Sequence, residues 1–119
     1  MAGAVAADVG WRLTVADATW FVYMILTDKD RLYTGIATDV QRRLQEHRDV
    51  AEGRVKARGA KYFRTQKPVR VVYMEAFADL AEASRRERCI KSLTAGQKRR
   101  LCAAQAGDAA GRANPAVID

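Results

Sequence analysis

The chain is short of cysteine, of acidic charge and of any long apolar run, and each shortage closes off a class of protein. Its two cysteines, Cys89 and Cys102, fall in helical patterns. They form neither a disulfide framework nor a metal cluster, and read as small buried or half-buried thiols of a reducing cytoplasm. No stretch approaches the ~20 apolar residues of a membrane-spanning helix. Residues 1–10 are mildly apolar but lack the basic start and longer greasy centre of a secretory signal. A soluble, cytoplasmic protein is expected. No repeat of solenoid length is present. Acidic side chains number 14 against 21 Lys and Arg, a net charge of +7. That excess favours a polyanionic partner and says nothing about fold. With 119 residues, one compact domain with a modest core is expected.

What the chain does have is concentrated between Trp20 and His47. Residues 20–26 (WFVYMIL) are uninterrupted apolar or aromatic, which fits a strand buried on both faces. Thr27-Asp28-Lys29-Asp30 supplies turn chemistry, and Arg31 to Ile36 is the return strand of a β-hairpin. With a three-residue loop (Asp28 to Asp30), Thr27 faces Arg31 and Tyr33 faces Ile25, so Tyr23 and Tyr33 share a face. A four-residue loop sends the two phenols to opposite faces. Thr38 or Asp39 caps a helix running to about Ala51, with Val40, Leu44, His47 and Ala51 as its inward stripe. Arg43 lies one turn before His47, close enough to share a ligand.

Residues 52–70 are expected to form a loop in which Arg54, Lys56, Arg58, Lys61, Arg64, Lys67 and Arg70 stand against Glu52 alone. Gly53 and Gly59 are expected to keep it mobile, Tyr62 and Phe63 to offer aromatic faces for unpaired bases, and Pro68 to close it. Val69 to Phe77 reads as a third strand. Asp79 begins a second helix through about Leu93, with Leu80, Ala83 and Ile90 inward and Glu87 completing that stripe. Ser92 or Thr94 starts a last helix with Leu93, Leu101 and Ala104 inward. The organisation expected is a loose extension over 1–18, in which Trp11, Leu13 and Val15 pack or add an edge strand, a domain over 19–106, and a frayed tail over 107–119.

Each notable residue has an ordinary reading. Tyr23 and Tyr33 suit half-buried strands, Arg43 suits a solvated helix face, and His47 suits a satisfied core position. Glu87 has a cation at i+4, Lys91, to pair with. Yet a carboxylate seldom takes an inward helix position unless a cation or hydrogen bonds offset its desolvation. No histidine or second carboxylate cluster accompanies it, which argues against zinc and fits one magnesium ion held by a carboxylate, waters and a substrate phosphate. Gly35 serves either the strand-to-helix bend or the approach of a phosphate to bare backbone near a helix N-terminus.

Four blocks in order resemble the GIY-YIG nuclease family, and within it the small stand-alone bacterial, UPF0213-like members. Phe21-Val22-Tyr23 stands at the first triplet and Tyr33-Thr34-Gly35 at the second. Asp39 to His47 stands at the arginine helix and Arg86 to Lys91 at the metal-binding helix. The resemblance spans about residues 20–102. Phe21 replaces the name-giving glycine of the first triplet and leaves the reactive tyrosine in place. The resemblance implies an α+β fold, a three-stranded antiparallel sheet with helices packed around it. It implies that Tyr23 and Tyr33 line a site where one of them deprotonates or orients the attacking water. Arg43 would bind the scissile phosphate, His47 assist proton transfer or hold the phosphate, and Glu87 hold a single divalent ion, Mg2+ or Mn2+. A phenol's ordinary pKa near ~10 makes it a poor base, so the metal and Arg43 are expected to lower it.

The expected activity is metal-dependent hydrolysis of nucleic acid, DNA before RNA, with low sequence specificity and a structured, nicked or single-stranded substrate. Gly35, Arg54, Lys56, Arg58, Lys61, Tyr62 and Arg64 are the expected contacts to the strand, the cations meeting phosphates rather than base edges. A role in DNA repair is implied only by the resemblance. Two rivals stand beside it: a non-catalytic nucleic-acid-binding module on the same scaffold, and a domain acting through a protein partner at Trp11, Trp20 and the last helix.

Overall fold

The computed structural model describes residues 19–110, with side chains described through residue 107. The expectations for residues 1–18, Trp11 included, and for 111–119 lie outside the described residues. Three antiparallel strands, β1 (Trp20–Thr27), β2 (Leu32–Ala37) and β3 (Pro68–Phe77), form one sheet in the order β2-β1-β3. The most apolar strand is therefore the central one, as its uninterrupted greasy run requires.

The hairpin has the three-residue loop. Ile25 pairs with Tyr33 and Tyr23 with Gly35, while the Thr27 N–H donates to the Arg31 carbonyl at 2.9 Å. Asp30 takes the left-handed backbone (φ 60°) that such a loop needs before its return strand. Thr27 is buried and holds the turn together. Its hydroxyl accepts from the N–H groups of Lys29 and Arg31 and donates to Gln66 at 2.7 Å. Pairing of β1 with β3 slips between Met24 and Ile25, which face Tyr73 and Val71. The bulge leaves Val72 and Tyr73 together on one side and Val71 on the other.

Alternation along β1 sends Phe21, Tyr23 and Ile25 to one face and Val22 and Met24 to the other. Helix α1 (Val40–Ala51) covers the first face, burying Val40, Leu44 and His47. Asp39, of the two expected caps, is the one used, its carboxylate accepting from the Arg42 N–H at 3.0 Å. The expected long loop contains one 3-10 turn, Lys61–Arg64, that drives Phe63 fully into this core. Phe63 is thus a core residue and not the base-stacking platform expected of it. Trp20 packs on the second core rather than standing free for a partner.

The second face carries helix α2 (Leu80–Lys91), which buries Ala83 and Ile90. Leu80, expected inward, is 46% exposed in the opening turn, and Cys89 is exposed rather than half-buried. Tyr73 donates to Glu75 at 2.8 Å and Arg86 binds the same carboxylate oxygen at 2.9 Å, which ties α2 to β3. Helix α3 (Ala95–Ala110) starts at Thr94, whose hydroxyl accepts from Gln97 N–H while the Gln97 side chain accepts from Thr94 N–H. It continues through Ala110, past the Gly107 where fraying was expected. Leu101, Cys102 and Gln105 face inward while Ala104 is exposed. Gln105 accepts from Met74 N–H at 3.0 Å and donates to Met74 C=O at 2.9 Å, so one amide stands where the next strand would be. No helix among the described residues is long and apolar enough to cross a membrane.

Candidate active site

Tyr23 is the residue on which the first face converges. It is 1% exposed, and its ring runs across β2 over its pairing partner Gly35. A Cβ on Gly35 would lie 2.6 Å from the phenol oxygen. The glycine is thus required for close approach, but the group that approaches is this phenol. The space above Gly35 on that face is filled by Tyr23, which leaves no room there for the phosphate contact that was one of its two readings.

The phenol oxygen of Tyr23 lies 3.0 Å from Nε2 of His47. At the other end of the ring, Ala60 N–H donates to Nδ1 at 3.0 Å. A backbone N–H can only donate, so Nδ1 is the acceptor and the neutral ring carries its proton on Nε2. His47 therefore donates to Tyr23. Burial, joined by the Arg43 charge, pushes the imidazole down to about 4. The ring is fully buried, with both nitrogens engaged. In this arrangement it neither reaches a phosphate nor has a lone pair for the phenol proton, so the expected roles in proton transfer or phosphate contact are not supported. It is placed to orient the phenol.

The Ala60 contact depends on Gly59, which sequence reading treated as a source of mobility. A Cβ there would lie 2.6 Å from the His47 Cα and closer still to the Glu46 carbonyl. The chain at Gly59 is pressed onto the backbone of α1, and this close packing is what carries Ala60 N–H to the imidazole. Arg43 is held by the same strip. Its Nη1 donates to Arg58 C=O at 2.9 Å and to Glu46 at 2.8 Å. The Arg58, Gly59 and Ala60 backbone and Glu46 are the anchors of Arg43 and His47 that sequence reading missed. Only Glu46, one turn from Arg43, left a spacing signal.

Tyr33 is half-buried beside these groups, 6.4 Å from the Tyr23 ring centre and 5.2 Å from that of His47. Tyr62 and Phe63 pack on it at 5.2 and 4.9 Å. Burial pushes both phenols up. For Tyr23 the charge of Tyr33 adds to the rise and Arg43 opposes it, while for Tyr33 both Arg43 and Lys91 oppose it. The expected lowering by cations is thus present at both tyrosines, but desolvation outweighs it.

Glu87 of α2 is near enough to raise both phenols as well, so α2 contributes its carboxylate to the same electrostatic site as Arg43. Its side chain is 19% exposed and paired with Lys91 at 3.2 Å, the i+4 partner expected of it. No group of three His, Cys, Asp or Glu that suits a metal is found among the described residues. One carboxylate whose charge reaches the two phenols, without soft ligands, suits a hard cation that keeps most of its waters and does not suit zinc.

The basic loop divides. Arg54 turns back to Glu52 and Asp49 at 2.8 and 3.3 Å. Arg58 contributes its carbonyl to Arg43, and Tyr62 its ring to Tyr33. Lys56, Lys61 and Arg64 line a cavity of about 430 Å³ together with Arg54.

Residues 19–100 match the model of a family described as the GIY-YIG catalytic domain. UPF0213 protein DP2720 of Desulfotalea psychrophila is 44% identical over 82 residues, 69% of this chain and 69% of that protein. UPF0213 protein H16_B0156 of Cupriavidus necator is 42% identical over 88 residues, 74% of this chain and 88% of that one. UPF0213 protein YhbQ of Escherichia coli is 41% identical over 88 residues, 74% of this chain and 81% of that one. A solution NMR structure of UPF0213 protein BH0048 from Bacillus halodurans is 32% identical and covers 71% of this chain and 82% of that one, with a TM-score of 0.43. With its family model spanning the sheet, the arginine helix and the Glu87 helix, and with these relatives beside it, the chain belongs to the GIY-YIG family.

Proposed function

We propose that the protein is a metal-dependent phosphodiesterase that cuts nucleic acid, DNA before RNA, with little preference for base sequence. Membership of a nuclease domain family supports the reaction class. The observation that carries the reading is the setting of the Tyr23 oxygen. It receives a hydrogen bond from a tautomer-fixed imidazole and feels the Arg43 cation, with Tyr33 and the Glu87 charge alongside. A core phenol with only a packing role needs one hydrogen-bond partner, but not a cation, a second phenol and a carboxylate charge gathered around it.

In this reading Arg43 meets the scissile phosphate. Glu46 and Arg58 C=O both hold its Nη1, which fixes the plane of the fork before substrate arrives. Tyr23, steadied by His47, orients the attacking water; it takes that water's proton only as the phenolate, its own proton having passed to solvent once further positive charge offsets the desolvation of the anion. Tyr33, the more open phenol, hydrogen-bonds the water or a phosphoryl oxygen. Glu87 would hold the divalent ion, which when bound supplies positive charge for the phosphate and for acidifying nearby oxygens. Lys91 must then share or release its partner. Low base specificity follows from a site whose expected substrate contacts are a guanidinium, phenols and backbone-tracking cations.

The test is cleavage of nicked, branched and single-stranded DNA, with RNA in parallel, in magnesium or manganese. Wild type should cut, and chelator should stop it. Arg43→Ala and Glu87→Gln should each lose at least ~100-fold in rate while binding within a fewfold of wild type. Wild-type protein that binds these substrates and cuts none of them in either metal would falsify the hydrolase and leave the binding module.

A further inference from the structure

Behind the strip that holds Arg43 and His47 lies a cavity that takes no part in the proposed chemical step, although its cations are among the expected strand contacts. The cavity of about 430 Å³ is bounded by Val50 at the end of α1, by Arg54 and Lys56, and by Gly59, Lys61 and Arg64. No Asp or Glu lines it. Arg54 is engaged with Asp49 and Glu52, whereas Lys56, Lys61 and Arg64 make no ion pair among the described residues. Like charges gathered without a counterion repel one another, and a bound anion relieves that repulsion. Lys56 also sits in left-handed backbone (φ 62°), where a side chain is disfavoured and glycine is at ease. What this strained position delivers is one more cation at the cavity wall.

The wall itself links the cavity to the reactive groups. Gly59 lines the cavity, its neighbour Arg58 offers the carbonyl that holds Arg43, and its neighbour Ala60 offers the N–H that fixes the His47 tautomer. One strip of backbone thus has cations on one side and the Arg43–His47–Tyr23 group on the other. The lining contains no aromatic ring, so nothing there reads or stacks a base, while Val50 and Ala57 offer an apolar surface for a sugar.

We propose that this cavity is a second phosphate site. It takes a non-scissile phosphate of the nucleic-acid strand, which steadies residues 58–60 and so couples strand binding to the setting of Arg43 and the Tyr23–His47 pair. The proposal rests on the nuclease reading for the identity of the strand, but its binding test does not depend on cleavage.

The experiment follows the backbone amides of Gly59 and Ala60 by 1H–15N NMR in the full chain carrying Glu87→Gln, so that no strand is consumed. A short single-stranded DNA should shift both amides saturably. Inorganic phosphate should do so only at concentrations at least tenfold higher. Adding Lys61→Gln and Arg64→Gln together should weaken the DNA response at least tenfold, and in otherwise wild-type protein the same pair should lower kcat/KM at least tenfold. Lys56→Gly should weaken the DNA response while keeping or raising the melting temperature, which separates lost binding from lost folding. Amides that stay still while DNA binds, or that respond equally after removal of both cations, overturn the proposal. So does free phosphate binding as tightly as the strand, which marks a site for a small anion. If the amides respond as expected but wild type cuts nothing, the phosphate site stands and the hydrolase reading falls. If wild type cuts and the Lys61→Gln, Arg64→Gln pair leaves kcat/KM unchanged, the reverse holds.

Discussion

A histidine at an inward helix position is a cost to folding in acid. His47 is fully buried and held neutral, with its pKa pushed from 6.5 down to about 4. Between those values the unfolded chain binds a proton that the folded chain refuses, so stability falls as pH falls and is fully restored above 6.5. The difference across the window amounts to about 3 kcal/mol. Chemical denaturation from pH 7 to 4 should therefore show a steeper loss in wild type than in His47→Gln. Parallel curves for the two proteins would mean that the imidazole is protonated in the fold. The stripe Val40, Leu44, His47 was readable because helical periodicity places all three on one side. The direction of the hydrogen bond to Tyr23 was not, because it is set by Ala60, thirteen residues away across a loop without periodicity.

At the scale of the element, the site is a hairpin, a helix and a strip of loop. The hairpin was half legible: sequence offered two loop lengths with opposite outcomes for the phenols, and the left-handed turn at Asp30 selects the one that brings them together. The loop was misread where it matters most, because a glycine serving close packing and a glycine serving mobility look alike in a sequence. Gly59→Ala distinguishes them. Its methyl would collide with backbone of α1 that cannot swing aside, so residues 58–60 must shift by up to about an ångström and take the Arg43 and His47 anchors with them. Cleavage should drop about 100-fold, with a loss of only ~5 °C in melting temperature. A variant that melts lower by that amount yet cuts at the wild-type rate would show that the strip does not position the reactive groups.

At the scale of the whole molecule, α3 holds the sheet at two distant places. Arg99 binds the Asp30 carbonyl and carboxylate at the hairpin tip, and Gln105 closes the outer edge of β3 at Met74. Sequence showed the helix and its inward Leu101 but took Ala104 rather than Gln105 as the next inward residue, since an apolar stripe says nothing of a polar side chain aimed at a strand edge. Gln105→Leu should leave the Met74 N–H and C=O without partners, costing about 1–2 kcal/mol and opening a template for strand addition. Light scattering at high protein concentration should then report more self-association than wild type shows; a variant that associates no more than wild type would mean that other parts of the chain shield this edge. The sheet, the two covered faces and the family were legible because they rest on runs and spacings, whereas the anchors of the site rest on backbone groups that carry no letter. The solitary imidazole of the whole chain, sealed from solvent with both nitrogens occupied, has one further consequence. Its ring proton should exchange slowly enough to give a lone downfield resonance, a built-in reporter of phenol ionisation that needs no isotope label and no assignment.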